Sequence, residues 1–333
     1  MPQQGQGAAH CVGRGARSGG AGVIELPAVF TRAPWGLVVV SGPDATSFLQ
    51  SIVSQDLAPV GVGETVPSLL LQPQGKLDVA FRATLQAHGD DGDVWWLDTE
   101  PQMAERLAAG LSRFKIRVKA DIEDHTAASA CASVVGTRAV PGPRYALNQD
   151  QPVDAPKTLS VAGVGLLRIH TGWGEHAGTD VIGAPAVVER WVAASGVRDG
   201  TPEELEVLRI EAGIPTQGID VDETTIPQEA FLERDAVSFT KGCFIGQELV
   251  CRIDSRGHVN RFLRRLDIPG VVVPLPGSDV HHDGKVVGGI TSAVAVPGED
   301  RVVALAMVRR EVEPPAPVTV TAVDTPLPAM MRP

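Results

Sequence analysis

The feature that most constrains the architecture of this 333-residue chain lies in its last seventy residues. There RFLRRLDI, VVVPL, DVHHDGKVVGGITSAVAV and RVVALAMVRREV form short runs rich in β-branched residues, cut by turn pairs such as Asp283-Gly284 and Pro297-Gly298. Short strands at close spacing with no intervening helix predict a separate small barrel or sandwich. The boundary falls near Val259, which makes 259–333 a C-terminal β-barrel domain. One hydrophobic core usually stops growing at roughly 250–300 residues, so further domains are expected upstream.

The upstream pattern is mixed. LVVVSGPDATSFLQSIVSQDL (37–57) passes from a β-branched run through Gly42-Pro43 into a helix with Phe48, Leu49, Ile52 and Val53 on one stripe. SLLLQPQGKLDVAFRATL (68–85) predicts two strands joined by a Pro-Gly turn, and VWWLDT another strand. PQMAERLAAGLSRF predicts a helix, and KIRVKADIED alternates as a half-buried strand does. The order is β, α, β, β, β, α, β, an α+β layering of helices on a mostly antiparallel sheet. Residues 136–164, rich in Pro and Gly, predict a loop or subdomain junction. LLRIHTGWGEHAGTDVI (166–182) then predicts strand, loop and strand, and AVVERWVAAS a helix. TPEELEVLRIEAGIP carries the clearest helix signals, with Thr201 as N-cap, Pro202 at the first position, Glu204 closing a capping box and Gly213 then Pro215 as the stop. GQELVCRIDS predicts a further helix.

Composition excludes several classes. No apolar run approaches the roughly 18 residues that a membrane helix needs, so a soluble body with no membrane partner is expected. A formal charge of −11 argues against direct nucleic-acid binding, because neutralising a phosphate backbone takes a surplus of Lys and Arg. Four cysteines, none in a CxxC pair, predict a reducing cytoplasmic location rather than a disulfide framework. Residues 1–22 lack an apolar core and predict a disordered tail, ahead of an α+β region over 23–258.

KGCFIGQE (241–248) is the stretch that asks for chemistry. Gly242 and Gly246 allow a tight loop, and a helix starting near Gln247 would aim free N–H groups at it. With Lys241 two residues away, both features favour a thiolate at Cys243. The competing reading is a small residue in a loop shaped by its glycines. A metal site is poorly supported, since Cys243 and Cys251 are eight apart with no His beside them.

KGCFIGQE, with RIEAGIP and IPQEA before it and Arg252 after it, resembles the signature of the YgfZ group within the folate-binding aminomethyltransferase-like (GcvT, glycine cleavage T-protein-like) superfamily. SGPDATSFLQSIVSQDL and GGITSA are similar to that family's N-terminal and C-terminal motifs, so the resemblance covers most of 30–310. It implies two α+β lobes and a C-terminal β-barrel in a clover-leaf around a central channel for tetrahydrofolate. It also implies an accessory role in iron–sulfur cluster assembly or maintenance, with iron–sulfur proteins or assembly factors as partners. The alternative is a tetrahydrofolate-dependent aminomethyltransferase, whose carboxylate at the folate edge would fall at Val79 and Ala80 here. Asp78 lies two residues from Ala80 on the same strand face, about 6.5 Å away.

The resemblance further implies that Cys243 and Lys241 carry the chemistry. It places Asp180, in GTDVI, at the acidic position that holds the pterin, and the Arg209–Glu211 segment beside the channel, with Gln247 and Glu248 of the motif and Arg252 after it as further cofactor-binding residues. A carboxylate suits a pterin because the ring offers adjacent N–H donors. Arg252, Arg256, Arg261, Arg264 and Arg265 form the basic cluster of an acidic chain. It could meet a folate glutamate tail or pair with the acids between Glu203 and Asp235.

Overall fold

The computed structural model describes residues 24–138, 166–322 and 325–333. The tail expected over 1–22, and most of the junction expected over 136–164, lie outside the described residues.

The chain opens with β1 (Ala28–Arg32), β2 (Gly36–Gly42) and α1 (Ala45–Ile52). There follow β3 (Thr65–Leu71), β4 (Leu77–Gly89), β5 (Gly92–Thr99), α2 (Ala104–Ser112) and the short β6 (Asp121–Asp124). Next come β7 (Ala130–Arg138), β8 (Leu167–Trp173), β9 (His176–Gly183), α3 (Pro185–Ser195), β10 (Arg198–Asp199) and α4 (Pro202–Glu211). A one-turn helix α5 (Glu233–Ala236) and α6 (Gln247–Arg256) lead to β11 (Arg261–Pro269), β12 (Asp279–His282), β13 (Lys285–Ala295), β14 (Arg301–Arg309), β15 (Ala316–Ala322) and β16 (Thr325–Arg332).

The strands form two five-stranded sheets, β3-β4-β5-β2-β6 and β10-β1-β7-β9-β8, and a closed barrel β11-β14-β13-β12-β15-β16. Closure removes every sheet edge, which suits short strands that would otherwise expose unpaired backbone. Apolar faces stitch the three bodies together. Leu37 and Trp96 of the first sheet pack on Cys131, Ile169 and Ile182 of the second. Leu69 and Leu77 meet Val207 and Ile210 of α4 and Leu263 and Leu305 of the barrel. Phe48, Leu49, Ile52, Leu107 and Leu111 bury the first sheet's other face. The predicted cap of α4 is present: Thr201 Oγ1 accepts from Glu204 N–H, and the Glu204 carboxylate accepts from Thr201 N–H. No helix among the described residues is long and apolar enough to cross a membrane.

Four local readings change. The strand expected over 115–124 shrinks to β6, because 115–120 contributes no ladder partner. VVVPL is an exposed connection between β11 and β12, not a strand. β15 and β16 complete the barrel in a stretch whose prolines hid its alternation. Finally β1, at the start of the described chain, pairs with β7 and β10 in the second sheet, so the two lobes are interleaved in sequence.

Candidate functional site

A cavity of about 560 Å³ opens where the two sheets and the barrel meet. Strand register builds its polar wall. Arg82 and Asp98 stand directly opposite each other on β4 and β5, and Ser133 and Asp180 do so on β7 and β9. Arg82 Nε and Nη2 donate to Asp98 Oδ2 at 2.9 and 2.5 Å, and its Nη1 donates to Asp180 Oδ2 at 2.6 Å. One guanidinium thus joins a carboxylate from each lobe, and all three groups are buried. Asp180 Oδ1 accepts from Ser133 Oγ at 2.6 Å, while Asp98 accepts from Trp35 Nε1 at 3.3 Å. Such an arrangement is costly to desolvate and is held only because each charge is paired and hydrogen-bonded.

Arg32 extends the wall. Its guanidinium lies 4.2 Å from the Trp35 ring centroid and donates to Ser133 Oγ at 2.6 Å and to Cys131 Sγ at 3.4 Å. Burial pushes the Cys131 thiol up to about 12, so that cysteine stays protonated. Arg32 Nε is buried without a hydrogen-bond partner among the described residues. Glu100, just past β5, also lines the cavity, and burial raises its carboxyl against the opposing pull of Arg32, Arg209 and Arg82.

Arg264 and Arg265 on β11 and Arg332 on β16 line the barrel side, with Arg234 of α5. Phe231, at φ +58°, stacks on Phe262 with centroids 5.3 Å apart. Arg234 sits 4.2 Å from the Phe231 centroid, and Arg264 4.8 Å from that of Phe262. Burial and the neighbouring Arg234 lower the Arg264 pKa. Two cations held this close favour an anion between them. Apolar walls come from Leu69, Leu232, Leu263 and Trp173. The wall holds carboxylate acceptors, guanidinium donors and flat apolar surfaces, a set that fits a pterin with an acidic tail.

The sequence-predicted site residues separate into groups. Asp180 lines the cavity. Arg209 does not: its five N–H donors go to Glu206, the Ile214 carbonyl, Asp220 at 2.6 Å and Ser292 at 2.9 Å, tying α4 to the barrel. Glu211 pairs with Arg301 at 2.8 Å, and the Glu211 carbonyl accepts from Arg265 at 2.7 Å. Of the arginine cluster, Arg261 pairs with Glu229 at 3.1 Å, whereas Arg264 and Arg265 reach the cavity.

Cys243 is exposed and is absent from the cavity wall. Lys241 turns away from it: its ammonium donates to the carbonyls of Val53 and Gln55, each at 2.8 Å, just beyond α1. Burial lowers the Lys241 pKa to about 8. Gly246 has φ +78°, and a Cβ there would lie 2.5 Å from the Gln72 carbonyl, so the loop needs glycine to seat against the β3–β4 turn. At Gly242 a Cβ would meet nothing within 4 Å. Gln247 opens α6 as predicted, Glu248 and Arg252 are exposed on it, and Cys251 is half-buried rather than the buried residue its helix position suggests.

Arg82, Asp98, Arg32 and Glu100 are the residues that sequence reasoning missed. The available signal was a charge inside an apolar strand, Arg82 in VAFRATL and Asp98 in VWWLDT, since such a charge is buried only when paired.

No family model matches the chain. It is 28% identical over 299 residues to an aminomethyltransferase of Nostoc sp. (strain PCC 7120), covering 86% of this chain and 78% of that one. It is 27% identical over 324 residues to an iron–sulfur cluster assembly factor IBA57 homolog, mitochondrial, of Chaetomium globosum, covering 90% and 65%. It is 26% identical over 264 residues to the tRNA-modifying protein YgfZ of Klebsiella pneumoniae, covering 76% and 75%. The glycine cleavage system aminomethyltransferase T of Bartonella henselae superposes with a TM-score of 0.73 at 20% identity, over 92% of this chain and 85% of that one. The chain is therefore similar to aminomethyltransferases and to the YgfZ and IBA57 proteins, and its fold is that of the aminomethyltransferases.

Proposed function

We propose that the protein is a folate-binding accessory factor for iron–sulfur proteins, with tetrahydrofolate in the central cavity and Cys243 as its functional thiol. The observation that carries this reading is the division of the cavity wall. Carboxylates Asp180 and Glu100 offer acceptors on the lobe side, and Arg264 and Arg265 offer guanidinium donors on the barrel side, Arg265 also donating to the Glu211 carbonyl and to the Pro333 oxygen. Each oxygen of Asp180 keeps a lone pair for a pterin N–H after bonding Arg82 or Ser133. The guanidiniums are matched to a glutamate tail. The IBA57 relative supports the iron–sulfur role, and no compartment follows from the fold.

A second reading, a tetrahydrofolate-dependent aminomethyltransferase, is favoured by the Nostoc relative and by the presence of Glu100 in the cavity. Against it, Ala80 lines the cavity where the resemblance requires a carboxylate. Asp78 is engaged instead by Arg106 at 2.7 Å. Calorimetry with tetrahydrofolate tests the cavity, and the absence of heat at millimolar ligand removes both readings. A deletion strain assayed for iron–sulfur enzyme activities and for glycine cleavage separates them, because the accessory factor predicts loss of the first alone.

A further inference from the structure

The segment RFKIRVK, residues 113–119, joins α2 to β6 and carries four cations in seven residues of a chain whose net charge is −11. Phe114 and Ile116 point outward there, 39% and 75% exposed. The segment is fixed, not frayed. Phe114 and Lys115 N–H groups donate to the Leu111 and Ser112 carbonyls at 3.0 and 3.2 Å. Lys119 N–H donates to Asp44 Oδ2 at 2.8 Å, and Asp44 N–H returns a bond to the Lys119 carbonyl at 3.1 Å. Lys115 pairs with Asp121 at 3.3 Å, whereas Arg113, Arg117 and Lys119 form no ion pair among the described residues.

A groove of about 450 Å³ runs between this segment and α1, with an apolar floor of Phe48, Ile52, Phe114, Val118 and Ile245 and a polar edge of Asp44, Ser47 and Ser51. Ile245 belongs to the Cys243 loop, and its N–H donates to the Ile52 carbonyl at 3.3 Å. One helix therefore carries both features. Its start anchors the basic segment through Asp44, and its end holds the loop that presents the exposed thiol.

We propose that this face docks an acidic segment of a partner protein, which seats an apolar side chain in the groove and so brings the partner against Cys243. The proposal rests on the reading of Cys243 as a thiol that serves iron–sulfur proteins. Unpaired cations flanking exposed apolar side chains complement an acidic, apolar sequence, and steering by such a patch raises the encounter rate. Nucleic acid fits less well, because a base-stacking platform needs exposed aromatic faces and this one is mainly aliphatic.

The test is fluorescence anisotropy of the full chain with three labelled probes: a peptide alternating glutamate and leucine, a glutamate-only peptide of equal charge, and a single-stranded RNA oligonucleotide. The leucine-containing peptide is expected to bind at least ~10-fold tighter than either other probe, with affinity falling as salt rises. Ile116→Ser and Arg117→Glu, both at exposed positions, should each weaken it about 10-fold, and the bound peptide should slow alkylation of Cys243. Equal binding of the glutamate-only peptide, tighter binding of the RNA, or unchanged binding by both variants overturns the proposal. Thermal shift with tetrahydrofolate reads the functional assignment separately. A chain that binds folate but not the peptide lacks the dock, and one that binds the peptide but not folate keeps the dock and loses the cavity reading.

Discussion

The central cavity and the Cys243 loop are built by opposite means. The cavity's polar wall is a buried charge network, in which Arg82 reaches Asp98 across one ladder and Asp180 across the gap between lobes. Its hydrogen-bonded parts lie up to 101 residues apart. The loop is nearly open and takes its shape from a left-handed glycine and a helix start, while one lysine donating to the carbonyls just beyond α1, 186 and 188 residues away, seats it on the first lobe. The cavity therefore depends on buried charge pairing for its chemistry, whereas the loop depends on backbone geometry and on backbone carbonyls that receive it. Ligand binding and thiol function should accordingly be separable by mutation.

The strongest test of that separation is Arg82→Met, which leaves Asp98 and Asp180 buried without their cation and should cost about 3–5 kcal/mol. Thermal melts should show the loss and calorimetry should show no tetrahydrofolate binding. In the fraction that stays folded at low temperature, the alkylation rate of Cys243 should match that of the parent. A change in that rate would join the two regions.

Gly246→Ala probes the other side. A left-handed alanine costs roughly 1–2 kcal/mol, and contact with the Gln72 carbonyl adds to it. Complementation of an iron–sulfur defect should fall while tetrahydrofolate binding survives. Parallel loss of both would break the comparison.

Lys241→Met should cost about 1 kcal/mol, because the Val53 and Gln55 carbonyls lose a donor. It also carries a pH signature. With its folded pKa depressed to about 8, the unfolded chain binds more protons between there and the ordinary lysine value. Stability should therefore rise with pH across that window in the parent and stay flatter in the variant, as melts from pH 7 to 10 would reveal.

Cys243→Ser should have the smallest effect on stability, within about 0.5 kcal/mol, since the side chain is exposed. Tetrahydrofolate affinity should not change, yet complementation should be lost. Full complementation would reduce Cys243 to a loop-shaping residue.

The legible parts of the sequence were those with local causes. The capping box of α4, the stripe of α1, the turn between β3 and β4 and the barrel hairpin at Asp283-Gly284 follow from propensity and steric rules acting over a few residues, and the structure has them where those rules put them. KGCFIGQE was visible for the same reason, because a glycine needed for φ > 0 and a helix start are local facts. The alternation of KIRVKADIED misled over its first half, since period two describes side-chain order and not whether a neighbouring strand is present to pair with.

What only tertiary structure decided is which charges meet. Arg209 in its well-signed helix turned to Asp220 and Ser292, while Arg82, in an unremarkable strand, became the centre of the cavity wall. Both are buried cations, and the sequence treats them alike. Their partners differ because sheet register and lobe packing set both the distances among residues far apart in the chain and their burial, and Coulomb and desolvation energies follow from those two.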